Sequence, residues 1–599
     1  MTVPVGHRGE RRPRRGAVPL PAPASRPQRP AVTVPRIAGL GPFTVRIWQL
    51  SPAAQGALAL VIYLAAWIIG WTYPLLSHLH QTQLYQTSED PNFYTWSLRW
   101  WPYALSHGLN PLFSNQIGAP AGFNLAWTTT VPPVALLAAP ITALAGPVAS
   151  LNLLTIAAPP LCGWLAFVVL RRLTGRFWAA LLGGAIFSLS PYEIGHALNG
   201  QLNLTFNMLV PLMVYLVLLW RDGKLNRAWF VSLMALAMIV QFYVFLETYA
   251  ELTVIWIAAL LIAYALAGPG RPVVARLARQ VGAAYLVALV VAGPYLWYAL
   301  SHYPKAFSRS PSSAGFDLAN LVVPRPNRAF GVNWLGTFSS HLPLSSGQGY
   351  VGIPLLVIFV ALAVRTWSAT LTRFLVIMFV VVLALAVGPD LVIGTLHFAS
   401  VPWARLWYLP VARSALPYRF MMFGYLTLAA VIAVWVAKPV LGRWRQASRW
   451  LLALVAVAVV LADVPGPVLD PSPPNWPMAS FITTGEYQHY LHRGEIVLVV
   501  SGRDNAAMLY QADANFYMRV AGGYINMALT PNDLPPQAQA LVHPSPAIEA
   551  QFLAYVRKAG IQAILVELAW KPAWAGVFDD MGFRGRAVGG FMLYQVGPA

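Results

Sequence analysis

Two adjacent carboxylates, Glu89 and Asp90, follow the first long apolar run and open a segment, 87–101, that is dense in aromatics. A carboxylate placed beside a hydroxyl can take its proton in a transfer reaction. Asp followed by Pro91 is also the pattern of a helix start, an N-cap ahead of proline at the first helical position. A second polar group gathers Glu193, His196, Asn199 and Gln201, and a third gathers Gln241, Glu247 and Glu251, with the two glutamates one helical turn apart. Arginines recur further on, among them Arg309, Arg413 and Arg419, the last in Leu416-Pro-Tyr-Arg-Phe420. A guanidinium binds a phosphate through paired hydrogen bonds, so these are candidate anion ligands. Each group also has a structural duty available: Glu193 can cap a helix, His196 can serve as a hydrogen-bonded interface histidine, and Glu247 or Glu251 can pair with an arginine. The arginines can equally contact lipid headgroups.

The elements that must position these residues are membrane helices. The chain has 599 residues, 57% of them hydrophobic and 10% charged, with a mean hydropathy of +0.57. That is too apolar for a soluble globule and too long for one span. Cys162 is the single cysteine, so no intrachain disulfide forms. Residues 1–50 read as a disordered basic cytoplasmic tail, with nine arginines and one acid, Glu10, before residue 47. Eleven apolar runs follow, near 55–76, 148–170, 177–191, 204–220, 228–246, 249–267, 281–300, 349–364, 373–389, 420–437 and 450–463. The proline-bearing run 131–146 is expected to lie along the outer surface.

Basic clusters such as Arg171, Arg172 and Arg176 fall in alternate loops, which places them inside and sets the N-terminus inside and the C-terminus outside. This asymmetry accounts for the net charge of +20 without nucleic acid. The fold class expected is a polytopic α-helical membrane protein of about eleven spans over 51–463, with 77–130 as an outer loop. The tryptophans at 96, 100 and 101 are expected as interfacial anchors.

After Asp463 six prolines within 464–479 make a linker, and the composition changes. The runs 496–500, 562–567 and 590–596 read as buried strands, and 546–560 as a helix with Phe552 and Val556 on one face and Gly560 as its stop. A small α/β domain over 480–599, outside the membrane, is expected.

This topology gathers the acids and the arginines of the outward loops at one mouth. Sugar transfer from a polyprenyl-phosphate donor needs such a set: a base for the acceptor hydroxyl and positive charge for the departing phosphate. The order of features resembles the polytopic GT-C glycosyltransferases: a first span, an early acid in the first outer loop, surface helices, then a span ending in a basic turn. The segments Val131-Pro-Pro-Val-Ala-Leu-Leu137 and Leu170-Arg-Arg-Leu-Thr-Gly-Arg176, continuing to Pro191, are similar to the arabinose- and mannose-type members, and the pattern covers about 55–220. The resemblance implies Asp90 as catalytic base with Glu89 beside it, and a plasma-membrane enzyme using a lipid-linked sugar. A glycan, lipid or protein would be its acceptor. Glu193, His196, Gln201, Glu247, Arg309, Arg413 and Arg419 are expected to bind substrate, with no cofactor or metal assigned. A flippase of a lipid-linked saccharide and a non-catalytic envelope protein are the alternative readings.

Overall fold

The computed structural model describes residues 50–80, 83, 90–302, 315–324, 348–394, 396–400, 404–405, 415–438, 443–464, 479–501, 506–523, 546–569 and 572–596. Glu89, Arg309, Arg413, the basic tail and most of the proline-rich linker lie outside these residues. Helix α1 (Pro52–Trp67) starts where sequence chemistry dictates, with Ser51 Oγ accepting from the Ala54 amide at 3.2 Å and proline in the first turn. Wider and tighter helical turns extend it to Ser77. Helix α2 (Asp90–Ser106) follows.

Helix α3 (Ala139–Thr174) is two helices divided at Gly146, whose φ of 86° and ψ of 165° only glycine adopts readily. The proline-bearing run 131–146 is thereby separated from the long apolar helix. At its far end Gly175 donates to the Arg171 carbonyl at 2.9 Å, with Arg171 and Arg172 beside the negative end of the helix.

Seven helices among the described residues are long and apolar enough to cross a membrane: Pro52–Ser77, Ala139–Thr174, Leu202–Arg221, Arg227–Val244, Leu246–Leu266, Gly268–Ser301 and Pro417–Ala437. The other four expected runs take different forms. One is a pair, α4 (Phe177–Ser188) and α5 (Pro191–Leu198), bent by 49°. Two are apolar helices of 14 and 17 residues, Ile353–Thr366 and Thr370–Ala386. The last is Arg443–Val460, whose first turns are basic.

Close packing at the centre depends on small residues, as expected where lipid-like surfaces meet. A Cβ on Gly183 would lie 2.6 Å from the Ala429 carbonyl oxygen, and one on Gly184 would lie 2.7 Å from that of Gly163. Glycine therefore lets α4 touch both α3 and the buried helix Met421–Ala437.

The C-terminal region holds a five-stranded sheet of strands β1 (Ile496–Val500), β2 (Arg519–Val520), β3 (Ala563–Glu567), β4 (Gly585–Val588) and β5 (Phe591–Gln595), in the order β2-β1-β3-β5-β4. β1 runs parallel to β2 and β3, and the β5 pairings are antiparallel. Ile496, Leu498, Ile564 and Val566 pack on one face with Phe552, Val556 and Phe578. Val497, Ala563 and Leu565 pack on the other with Phe481, Tyr510 and Phe591. Both faces are covered, which is why these strands read as continuous apolar runs.

The three tryptophans of α2 differ from expectation. Trp96, Trp100 and Trp101 are buried, in a cluster that includes Met508, Ala512 and Phe516 from the C-terminal region. They are core residues between α2 and its neighbours because a distant segment covers them.

Replacing Gly183 by leucine is expected to cost about 1–3 kcal/mol by overpacking. Thermal unfolding in detergent should show this as a lowered Tm, while leucine at the open Gly282 should leave it unchanged.

Candidate active site

Asp90 is the first residue of α2. Its Oδ2 accepts a hydrogen bond from Gln201 Nε2 at 2.6 Å, and Gln201 Oε1 lies 2.5 Å from His196 Nδ1. A carboxylate only accepts, so the amide nitrogen faces Asp90; the amide oxygen then faces the ring, and Nδ1 must carry the proton. This relay links the N-terminus of α2 to α5.

Local sequence explains how the relay is held. Ser190 caps α5, accepting from the Glu193 amide at 3.2 Å. Beyond α5, Gly200 turns with φ +62°, and a Cβ there would meet Pro91 Cγ at 2.6 Å. Glycine next to Gln201 and proline next to Asp90 thus bring the two polar side chains together. Tyr94 adds a second tie, donating to Asn203 Oδ1 at 2.5 Å.

Every residue of α5 is buried. Glu193 accepts from Asn207 Nδ2 at 3.0 Å through Oε2, and the Cys162 thiol lies beside the same carboxyl group. One turn further, the His196 ring packs edge-on against Tyr192 at 4.5 Å. Tyr192 in turn lies within electrostatic reach of Glu251, Arg419 and Glu193.

Arg419 is buried and forms an ion pair with Glu247, whose other oxygen accepts from the Leu416 amide at 2.7 Å. The Phe245 ring lies 5.2 Å from the guanidinium. Arg419 Nε, Tyr192 OH, Thr248 Oγ1, both oxygens of Glu251 and both amide atoms of Gln241 are buried without a hydrogen-bond partner among the described residues. Thr248 and Glu251 share the buried face of helix Leu246–Leu266, and Gln241 lies on the buried face of Arg227–Val244. Buried polar atoms are rarely left unpaired, so such a concentration marks a place where a polar ligand or water belongs.

The structure therefore joins Asp90, Gln201 and His196 directly, and sets Glu247 and Arg419 together. Glu193 and Tyr192 stand on the helix between them. Tyr192, Asn203 and Asn207 carry no signal in the sequence; each lies in an apolar or irregular stretch without a pattern. Among the described residues no three histidine, cysteine or acidic side chains gather as metal ligands.

This arrangement, with an acid at the start of the helix after the first long apolar helix and a polar interior beneath it, sits in a fold shared with solved structures. The arabinofuranosyltransferase AftD from Mycobacteria superposes with a TM-score of 0.57 at 14% identity, over 92% of this chain and 40% of that chain. A mutant AftD gives 0.56 at 15% identity, over 92% and 42%. ArnT from Cupriavidus metallidurans bound to undecaprenyl phosphate aligns at a TM-score of 0.47 and 12% identity, over 91% of this chain and 98% of that chain. The chain thus spans 40% of the length of AftD. Residues 58–465 match the model of DUF6311, described as a domain of unknown function; they make up more than half of the chain, and the protein belongs to that family. No curated protein matches the chain in sequence.

Replacing Gln201 by leucine strips hydrogen bonds from both Asp90 and His196, and is expected to cost about 1–3 kcal/mol. Thermal unfolding of the purified variant checks this, and Gln201→Glu, which sets carboxylate against carboxylate, should be worse than Gln201→Leu.

Proposed function

We propose that this protein is a membrane glycosyltransferase that moves a sugar from a polyprenyl-phosphate donor to a glycan, lipid or protein acceptor at the outer face of the plasma membrane. The observation that carries this reading is Asp90, held by Gln201 at the head of α2, in a chain whose fold matches AftD over 92% of its length. The Asp90 carboxylate takes the proton of the acceptor hydroxyl. The acceptor oxygen attacks the anomeric carbon as the bond from that carbon to the phosphate oxygen breaks. The electron pair leaves with the polyprenyl phosphate, and the configuration inverts.

Departing phosphate needs fixed positive charge. Glu247 holds Arg419 in one orientation and leaves its Nε without a partner among the described residues, so that N–H is the donor available to the phosphate. Glu251, Gln241 and Thr248 supply unsatisfied polar atoms for sugar hydroxyls. The seven helices suited to spanning a membrane among the described residues fit a lipid-borne donor. The sheet-bearing C-terminal region would then lie on the outer side with Asp90, since it packs on α2.

The test is transfer of labelled sugar from synthetic polyprenyl-phosphate donors, assayed in membranes with and without the protein. Asp90→Asn should lower kcat about 10²–10⁴-fold while the variant remains folded and inserted. Wild-type transfer by that variant would rule out Asp90 as the base. Glu251→Leu should raise the donor KM about tenfold, corresponding to one hydrogen bond, with kcat less affected.

A further inference from the structure

The C-terminal sheet is joined to α2 by contacts more specific than surface packing. β2 is an edge strand, and an edge presents a free row of backbone donors and acceptors. Residues 116–119, from the segment after α2, occupy it. Val520 N–H donates to the Gln116 carbonyl at 2.9 Å, Ala119 N–H to that of Val520 at 3.0 Å, and Gly118 N–H to that of Gly522 at 3.1 Å. The chain next to the membrane helices has in effect added a strand to the distant sheet.

One fully buried side chain ties this junction to α2. Gln511, on helix Ala506–Asp513, accepts from Trp96 Nε1 at 2.7 Å. Its Nε2 donates to the Gln116 carbonyl at 2.6 Å and to the Met518 carbonyl at 3.0 Å. Its amide oxygen and both amide hydrogens are thus engaged, on α2, on the added strand and on the entry to β2.

Phe516 makes the second tie. Asn515 and Phe516 have φ of +49° and +55°, a left-handed conformation that costs about 1–2 kcal/mol per residue. Strain of that kind persists only where surrounding contacts impose it. Here it drives the Phe516 ring into an aromatic cage on α2, 5.8 Å from Trp96, 5.6 Å from Trp100 and 4.5 Å from Tyr103. Opposite this plug, α2 is held on the membrane side through Tyr94 to Asn203 and through Gln83 Nε2 to Thr95 Oγ1 at 2.7 Å.

We propose that Gln511 and Phe516 are positioning residues: by gripping Trp96, Trp100 and Tyr103 they fix the rotation and height of α2, and so the place of the Asp90 carboxylate. The proposal rests on Asp90 acting as the base. A helix rotation of about 20° moves a side-chain tip about 5 Å from the axis by nearly 2 Å, and misplacing a catalytic group by about 1 Å can cost about 10²-fold in rate. The C-terminal region thus acts on the reaction without touching the substrate.

The test uses the full-length protein as wild type, Phe516→Ala and Phe516→Leu, with sugar transfer and deuterium uptake over 92–101 measured on each. Phe516→Ala should lower kcat at least about tenfold with the donor KM within about twofold, and uptake should rise. Phe516→Leu, which refills part of the cage, should recover much of both. Unchanged kcat in a folded Phe516→Ala protein would overturn the proposal, as would kcat, KM and Tm all failing together without recovery by leucine. If the wild type transfers no sugar, the glycosyltransferase reading itself falls. Uptake then decides the mechanical coupling alone: unchanged uptake in Phe516→Ala refutes it.

Discussion

The hydrogen bond from Gln201 to Asp90 is the contact on which the arrangement depends. It fastens a carboxylate at the start of one helix to a turn whose own position is set by a short, fully buried helix, Pro191–Leu198. A polar helix buried in an apolar bundle is tolerable only if its groups are partnered. α5 meets that demand through His196, bonded by way of Gln201 to Asp90, while the Tyr192 hydroxyl, near Arg419 and Glu251, is left without a hydrogen-bond partner among the described residues. Tyr192 and His196 are one helical turn apart on α5, their rings 4.5 Å from each other, so this one turn carries both the residue tied to the proposed base and the residue near the proposed phosphate ligand.

Much of this could be read from the chain itself, and the reasons for the remainder are physical. Long apolar runs mark helices because a bundle in lipid leaves them little else to be. β1, β3 and β5 were readable because they are covered on both faces, so their apolar runs are unbroken. β2 and β4 were not, since edge strands of two and four residues have no length in which a pattern can show. The misreading of Trp96, Trp100 and Trp101 as interfacial has a plain cause. Their burial depends on Gln511 and Phe516, and the Trp96–Gln511 bond joins residues 415 positions apart. Local composition cannot distinguish a tryptophan facing lipid from one facing a distant segment.

The polar site was half legible for a similar reason. Glu247 and Glu251 lie a turn apart and invite the same role, yet 172 positions away Arg419 pairs with Glu247, leaving Glu251 buried with both oxygens free of partners among the described residues. Position on the helix decides it: Glu247 stands in the first turn, beside the Leu416 amide, while Glu251 faces inward with Thr248 and Leu252. A buried ion pair contributes little net stability once desolvation is counted. Its consequence here is orientation, since it fixes the direction in which Arg419 offers its Nε–H.

Where a lipid-linked sugar sits in this interior decides between catalysis at Asp90 and any other role for it. The most direct measurement is a cryo-EM structure of the full-length protein, with Asp90 changed to asparagine to halt turnover, in complex with a polyprenyl-phosphate sugar. The anomeric carbon is expected beside residue 90, with room between them for an acceptor hydroxyl, the phosphate at Arg419, and sugar hydroxyls on Glu251 and Gln241. Lipid density that leaves this interior empty, or a phosphate on the far side of α5 from Arg419, would contradict this expectation.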